Sequence, residues 1–181
     1  MINYDQEIYN GAIKGGATNE LAKLITAQAR HETGNYSNNQ TLSNNNVFGF
    51  KYSANSSYAE KGNISPEGNA YAKYSSIQNA ILDYVDRWMG KDSIDGGTRL
   101  EEFNAVTDAE TFARKLKSYG YYNTPTGKTD EQVIQNYING LKTALLRIKV
   151  IEFFRTNYAV IGLVIIGITV YIYQLKKKKI F

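Results

Sequence analysis

The chain contains no cysteine, so disulfides, cysteine-ligated metals and a Cys-His nucleophile are all excluded, while the redox compartment stays open. Histidine is almost as scarce: His31 stands alone, which rules out the multi-histidine sites of zinc hydrolases. A Ser-His-Asp triad would have to use His31, and there is no nucleophile-elbow motif to accompany it. No G-x-x-x-x-G-K-[ST] phosphate loop is present. A basic excess is also missing where it would matter: residues 1–150 hold 16 Lys+Arg and 16 Asp+Glu, which gives no face for neutralising phosphates and argues against nucleic acid as a partner. The whole net charge of +4 comes from residues 151–181. Carboxylate chemistry is what these absences leave, with no metal and no cofactor expected.

The carboxylate that stands out is Glu32. Leu21, Ile25, Gln28 and Glu32 follow one another at i, i+4, i+7 and i+11, so a 3.6-residue helix projects all four from one side. On an apolar stripe a glutamate loses hydration, and the negative end of the helix dipole also disfavours its charge. Both effects favour a carboxylic acid that keeps its proton near neutrality, as glycoside cleavage requires. The same spacing equally suits an ordinary last-turn glutamate facing water.

Around it the pattern predicts a mainly helical chain. Residues 4–14 form a short amphipathic helix ended by Gly15 and Gly16, and a second runs from Thr18 or Asn19 to Gly34. Ser37 to Asn46 reads as a polar loop, and Tyr58 to Tyr74 as a hairpin. Ser75 with Gln78 has capping-box spacing before an apolar face of Ile77, Ala80, Ile81, Tyr84, Val85 and Trp88, which places Trp88 in the core. Thr107 with Glu110 caps a helix through Phe112, Ala113 and Leu116 to Gly120. Thr129 with Gln132 caps the last, with Val133, Tyr137, Leu141 and Ala144 inward. His31, one residue from Glu32, points elsewhere around its helix and reads as surface or cleft rim.

Four ordered blocks carry a family resemblance. Ala27 to Gly34 (AQARHETG), Asn45 to Lys51 (NNVFGFK), Tyr74 to Val85 (YSSIQNAILDYV) and Ser118 to Tyr122 (SYGYY) resemble the glucosaminidase family, glycoside hydrolase family 73, over roughly Thr18 to Leu146. The resemblance implies an α+β fold: a mainly helical lysozyme-like domain with a small β-hairpin beside the cleft. It implies a substrate, bacterial peptidoglycan, cut at the β-1,4 bond between N-acetylglucosamine and N-acetylmuramic acid. By position Glu32 matches the general acid and Tyr121 the tyrosine of the Gly-Tyr turn. The second carboxylate belongs to the hairpin, where Glu60 is preferred and Glu67 is the alternative. Substrate contacts fall to Gln28, Tyr36, Asn46, Phe48 and Tyr122, with Tyr36 standing in for the family's usual tryptophan and Asn46 holding sugar or ordering the hairpin. A lytic transglycosylase, a muramidase, or a non-catalytic glycan-binding virion protein are the rival readings.

Tyr158 to Leu175 is an uncharged 18-residue run, followed at once by Lys176 to Lys179. That length and those flanks predict a transmembrane helix with a cytoplasmic C-terminus, preceded by a linker at 151–157 and a hydrolase domain at 1–150. A buried core helix would need more domain around it than this chain supplies. The N-terminal MINYDQEIYN has no basic or apolar leader region, so no signal peptide is expected. A wall hydrolase with a bilayer anchor and no export signal suits a membrane-containing bacteriophage particle, with virion proteins as neighbours.

Overall fold

The computed structural model describes residues 3–65, 68–94 and 96–156, without the side chains of Gln40 and of residues 150–156. Residues Met1–Leu145 form one compact unit and Leu146–Phe181 a second, of which only the end of the last helix is described.

Helix α1 (Tyr4–Lys14) starts where the Asn3 side chain accepts from the Gln6 amide and stops at Gly15. Helix α2 (Asn19–Glu32) is capped by Thr18, whose hydroxyl accepts from Leu21 N, and Asn104 reaches across to the Thr18 amide at 2.7 Å. Leu21, Ala22, Leu24, Ile25, Ala27 and Ala29 are all buried, which makes α2 the central element of the core. Helix α1 packs on it and on α4 (Ile77–Leu82). The α1–α4 contact is close because residue 11 is glycine: a Cβ there would come within 2.7 Å of Ile81 Cδ1.

The predicted polar loop holds a short helix, α3 (Asn39–Asn44), before the hairpin. Strands β1 (Ala59–Ile64) and β2 (Ala70–Tyr74) pair antiparallel with Ala59 opposite Tyr74, Glu60 opposite Lys73 and Lys61 opposite Ala72; an irregularity precedes the Ile64–Ala70 pair. The chain at Phe50 to Tyr52 lies along the other edge of β2, with Ala72 N donating to Phe50 O at 2.9 Å and Tyr52 N to Ala70 O at 2.8 Å.

Helix α4 passes directly into a π-helical stretch, Asp83–Met89, where the sequence pattern predicts one uninterrupted α-helix. Its cap is Ser76, which accepts from Asn79 N, and not the expected Ser75. Helix α5 (Arg99–Asn104), which the sequence reading omits, carries a full capping box between Thr98 and Glu101. Helix α6 (Ala109–Ser118) is capped by Asp108, one residue beyond the expected Thr107. The last helix, α7 (Asp130–Thr156), has the expected reciprocal cap, Gln132 N to Thr129 Oγ1 and Thr129 N to Gln132 Oε1. It buries Ile134, Tyr137, Ile138, Leu141 and Ala144, with Val133 only half-buried. Among the described residues no helix is long and apolar enough to cross a membrane; the run 158–175 and the basic tail lie outside them.

Candidate active site

The stripe on α2 folds as its spacing predicts. Leu21, Ile25 and Gln28 are fully buried, and Glu32 ends the helix half-buried. The helix stops there because three successive residues, Gly34, Asn35 and Tyr36, take left-handed φ values of 57°, 63° and 65°. For the two L-residues that conformation costs roughly 1–2 kcal/mol each, and specific contacts offset it. Arg30 Nε and Nη2 donate to the two Asp5 oxygens at 2.7 and 2.6 Å, Arg30 Nη1 donates to Asn35 Oδ1, and the Tyr36 hydroxyl donates to Asp5 at 2.7 Å. The Tyr36 ring stacks on Tyr4 at 4.8 Å. Tyr36, expected beside the sugar, is thus engaged with α1.

Glu32 faces a phenol. The Tyr137 hydroxyl donates to Glu32 Oε1 at 2.5 Å, and the Tyr137 ring is stacked by Tyr122 at 4.3 Å and touched edge-on by His31 at 4.8 Å. Burial pushes the Glu32 pKa above the ordinary carboxylate value, with the Tyr137 hydrogen bond opposing it in part. His31 is exposed, in keeping with its place at the rim, and partial desolvation against Tyr137 lowers its pKa from the ordinary imidazole value.

An aromatic wall adjoins this pair. Tyr84 is fully buried, donates its hydroxyl to Gln28 Oε1 at 2.7 Å, and stacks on Phe48 at 4.3 Å and on Trp88 at 5.5 Å. Half-buried Tyr121 donates to Phe48 O at 2.9 Å and meets the Trp88 ring edge-on at 5.2 Å. Trp88, expected in the core, is half-buried: it continues the wall beside Tyr84 and Tyr121, with Arg99 over its ring at 5.1 Å and Phe103 at its edge. The negative charge of Glu32 helps hold the phenols of Tyr84, Tyr121, Tyr122 and Tyr137 protonated, after burial as the larger cause; Tyr122 is pushed up to about 12.

Of the residues expected at the site, Gln28, Glu32, Phe48, Tyr121 and Tyr122 therefore share one neighbourhood. Asn46 takes the hairpin-ordering alternative: fully buried, it donates to Phe50 O and Ala72 O at 2.8 and 3.0 Å and accepts from Phe50 N. Glu60 is exposed on β1 opposite Lys73, on the rim of a 460 Å³ depression shared with Tyr58 and Asn79. Glu67 lies outside the described residues.

Two features escape the sequence reading. Tyr137 reads as packing, because its hydroxyl partner is 105 residues away. Asp83 is 0% exposed and joins three elements: Arg87 donates twice to it at 2.6 and 2.8 Å, Tyr74 of β2 at 2.7 Å and Ser56 at 2.9 Å. The only sequence signal for it is its place in the Tyr74-to-Val85 block. Among the described residues no group of three or more His, Cys, Asp or Glu could hold a metal ion.

No curated protein matches the chain. A solved structure similar to it, described as a type VI secretion system effector-immunity complex from Pseudomonas protegens, aligns with TM-score 0.52 and 17% identity over 79% of this chain and 89% of that one. At that identity the likeness is one of fold. The model of the Glucosaminidase family, described as mannosyl-glycoprotein endo-beta-N-acetylglucosaminidase, matches residues 14–149, which include every helix of the compact unit beyond α1 and the hairpin. The chain belongs to the glucosaminidase family and is a glycoside hydrolase of the endo-β-N-acetylglucosaminidase type.

Proposed function

We propose that the enzyme hydrolyses the β-1,4 bond between N-acetylglucosamine and N-acetylmuramic acid in bacterial peptidoglycan, with Glu32 as general acid. The observation that carries this reading is the Glu32 carboxyl itself, half-buried at the end of α2, with its pKa raised by burial and its Oε1 engaged by Tyr137. A sugar oxygen leaving as an alkoxide needs a proton, and an acid that keeps its proton toward neutral pH can deliver it. Tyr121 and Tyr122, both half-buried, lie near the acid and supply phenol edges and hydroxyls from which sugar contacts can be made. Glu60 is the second carboxylate in this reading, activating water or stabilising the positive charge that develops on the sugar, with Glu67 as its alternative.

The test is the chemical identity of the fragments that the full chain releases from purified peptidoglycan, read by mass spectrometry. Reducing N-acetylglucosamine ends are expected. Anhydro-muramic ends would assign a lytic transglycosylase instead, and reducing muramic ends a muramidase.

We also propose that residues 158–175 anchor the enzyme in a bilayer, with Lys176 to Lys179 at its cytoplasmic or inner face, and that the setting is a virion membrane acting on a host wall. An uncharged 18-residue run flanked by lysines supports the anchor. In a flotation assay the full chain should rise with phosphatidylglycerol-containing vesicles and a chain ending at Thr156 should not. Equal flotation of the two would remove the anchor, and recovery from washed host envelopes but not from particles would remove the virion setting.

A further inference from the structure

The Tyr137 ring is 8% exposed and held on several sides. Tyr122 lies parallel to it at 13° and is itself tethered through its hydroxyl to Ala113 O on α6 at 2.9 Å. His31 meets it at 90°, in space that exists because residue 140, one turn along α7, is glycine: a Cβ there would stand 2.2 Å from the imidazole. A ring confined in this way has little freedom left, and its hydroxyl is directed at Glu32 Oε1 at 2.5 Å.

Among the described residues, the titratable side chains around Glu32 are all shifted toward their neutral forms. From α7 comes Tyr137, from the π-helical stretch Tyr84, from the turn after α6 Tyr121 and Tyr122, all with phenol pKa values raised, burial first among the causes. From α2 itself come His31, lowered by burial, and the uncharged Gln28. Among the described residues no cation contributes to the Glu32 pKa. The phenol is therefore the group able to respond when Glu32 gains charge.

A protonated carboxyl has one carbonyl oxygen and one hydroxyl oxygen. The Tyr137 O–H donates to Oε1, so Oε1 is the carbonyl acceptor and the acidic proton resides on Oε2. When that proton passes to the leaving oxygen, the O–H bond of the acid breaks, a new O–H bond forms on the sugar, and the electron pair stays on the carboxylate. The Tyr137 hydrogen bond then becomes charge-assisted and stronger, which favours the transition state over the ground state.

We propose that Tyr137 is a positioning residue for the acid of glycoside cleavage, resting on the reading of Glu32 as that acid: its hydroxyl holds Oε1 as acceptor, directs the transferable proton to Oε2 and stabilises the carboxylate left behind.

The test is the pH profile of wall hydrolysis by the full chain, as wild type, Tyr137→Phe, and with 3-fluorotyrosine placed at position 137. Activity is lost on the alkaline limb as Glu32 deprotonates. Without the phenol hydroxyl the charged form loses its donor, so the limb of Tyr137→Phe should move up by about one pH unit and the optimum rate fall roughly tenfold or more. The fluorinated phenol keeps ring and hydroxyl, hence the fold, and is the stronger donor; its limb should move down. Coincident limbs in all three proteins, with any loss the same at every pH, would overturn the proposal. Glu32→Gln run in parallel separates the two readings: its retention of wild-type activity would remove Glu32 as the acid whatever Tyr137 does.

Discussion

At the scale of single residues, two carboxyls of opposite character stand on neighbouring elements, Asp83 buried and Glu32 half-buried. Burial opposes the ionisation of Asp83, but the hydrogen bonds from Arg87, Tyr74 and Ser56 prevail, and its pKa falls below the ordinary 3.8. A depressed carboxylate contributes stability above its unfolded pKa and loses it as pH falls through the folded value. Asp83→Asn should therefore cost about 3 kcal/mol at pH 7, a gap that stays constant down to about pH 5 and narrows below about pH 4. Urea unfolding of both proteins across that range checks it. Glu32 has the opposite sign: its raised pKa means that its charged form destabilises the fold as pH rises, so Glu32→Gln should leave the melting temperature unchanged or higher at neutral pH. The position of Glu32 was legible in the sequence because helical spacing alone puts it beside Leu21, Ile25 and Gln28. What surrounds it was not: nothing local joins Glu32 to a hydroxyl on α7, nor sends the Tyr36 ring toward Asp5.

At the scale of elements, the periodic helices and the hairpin were legible, and their ends were less so. Ser75 and Ser76, or Thr107 and Asp108, are adjacent residues that can each cap, and the choice falls to whichever takes the extended backbone, here Ser76 and Asp108. The short α3 and α5 bury too little to leave a periodic signal. The π-helical stretch is hidden for another reason. Its apolar residues satisfy a 3.6-residue period, while the partners of Tyr84 and Asp83, Gln28 on α2 and Tyr74 on β2, lie on other elements and leave no mark in the local pattern. That stretch presents Tyr84 to Gln28 and Asp83 to the hairpin, so it links the α2 acid to the element bearing Glu60.

At the scale of the molecule, the family match over residues 14–149 and the described compact unit Met1–Leu145 nearly coincide. Four blocks scattered through the chain resembled the family, and the fold brings residues from all four, Gln28 and Glu32, Phe48, Tyr84, and Tyr121 with Tyr122, to one wall. That convergence rests on contacts such as Tyr84 to Gln28 and Tyr121 to Phe48, which no single block encodes. The measurement that bears most directly on the central claim compares the initial rate of peptidoglycan solubilisation by the full chain and by Glu32→Gln, each shown to be folded by its melting temperature. Glu32 as the acid predicts a loss of roughly 10²–10⁴-fold in the variant with no loss of stability. Equal rates in the two proteins would contradict it.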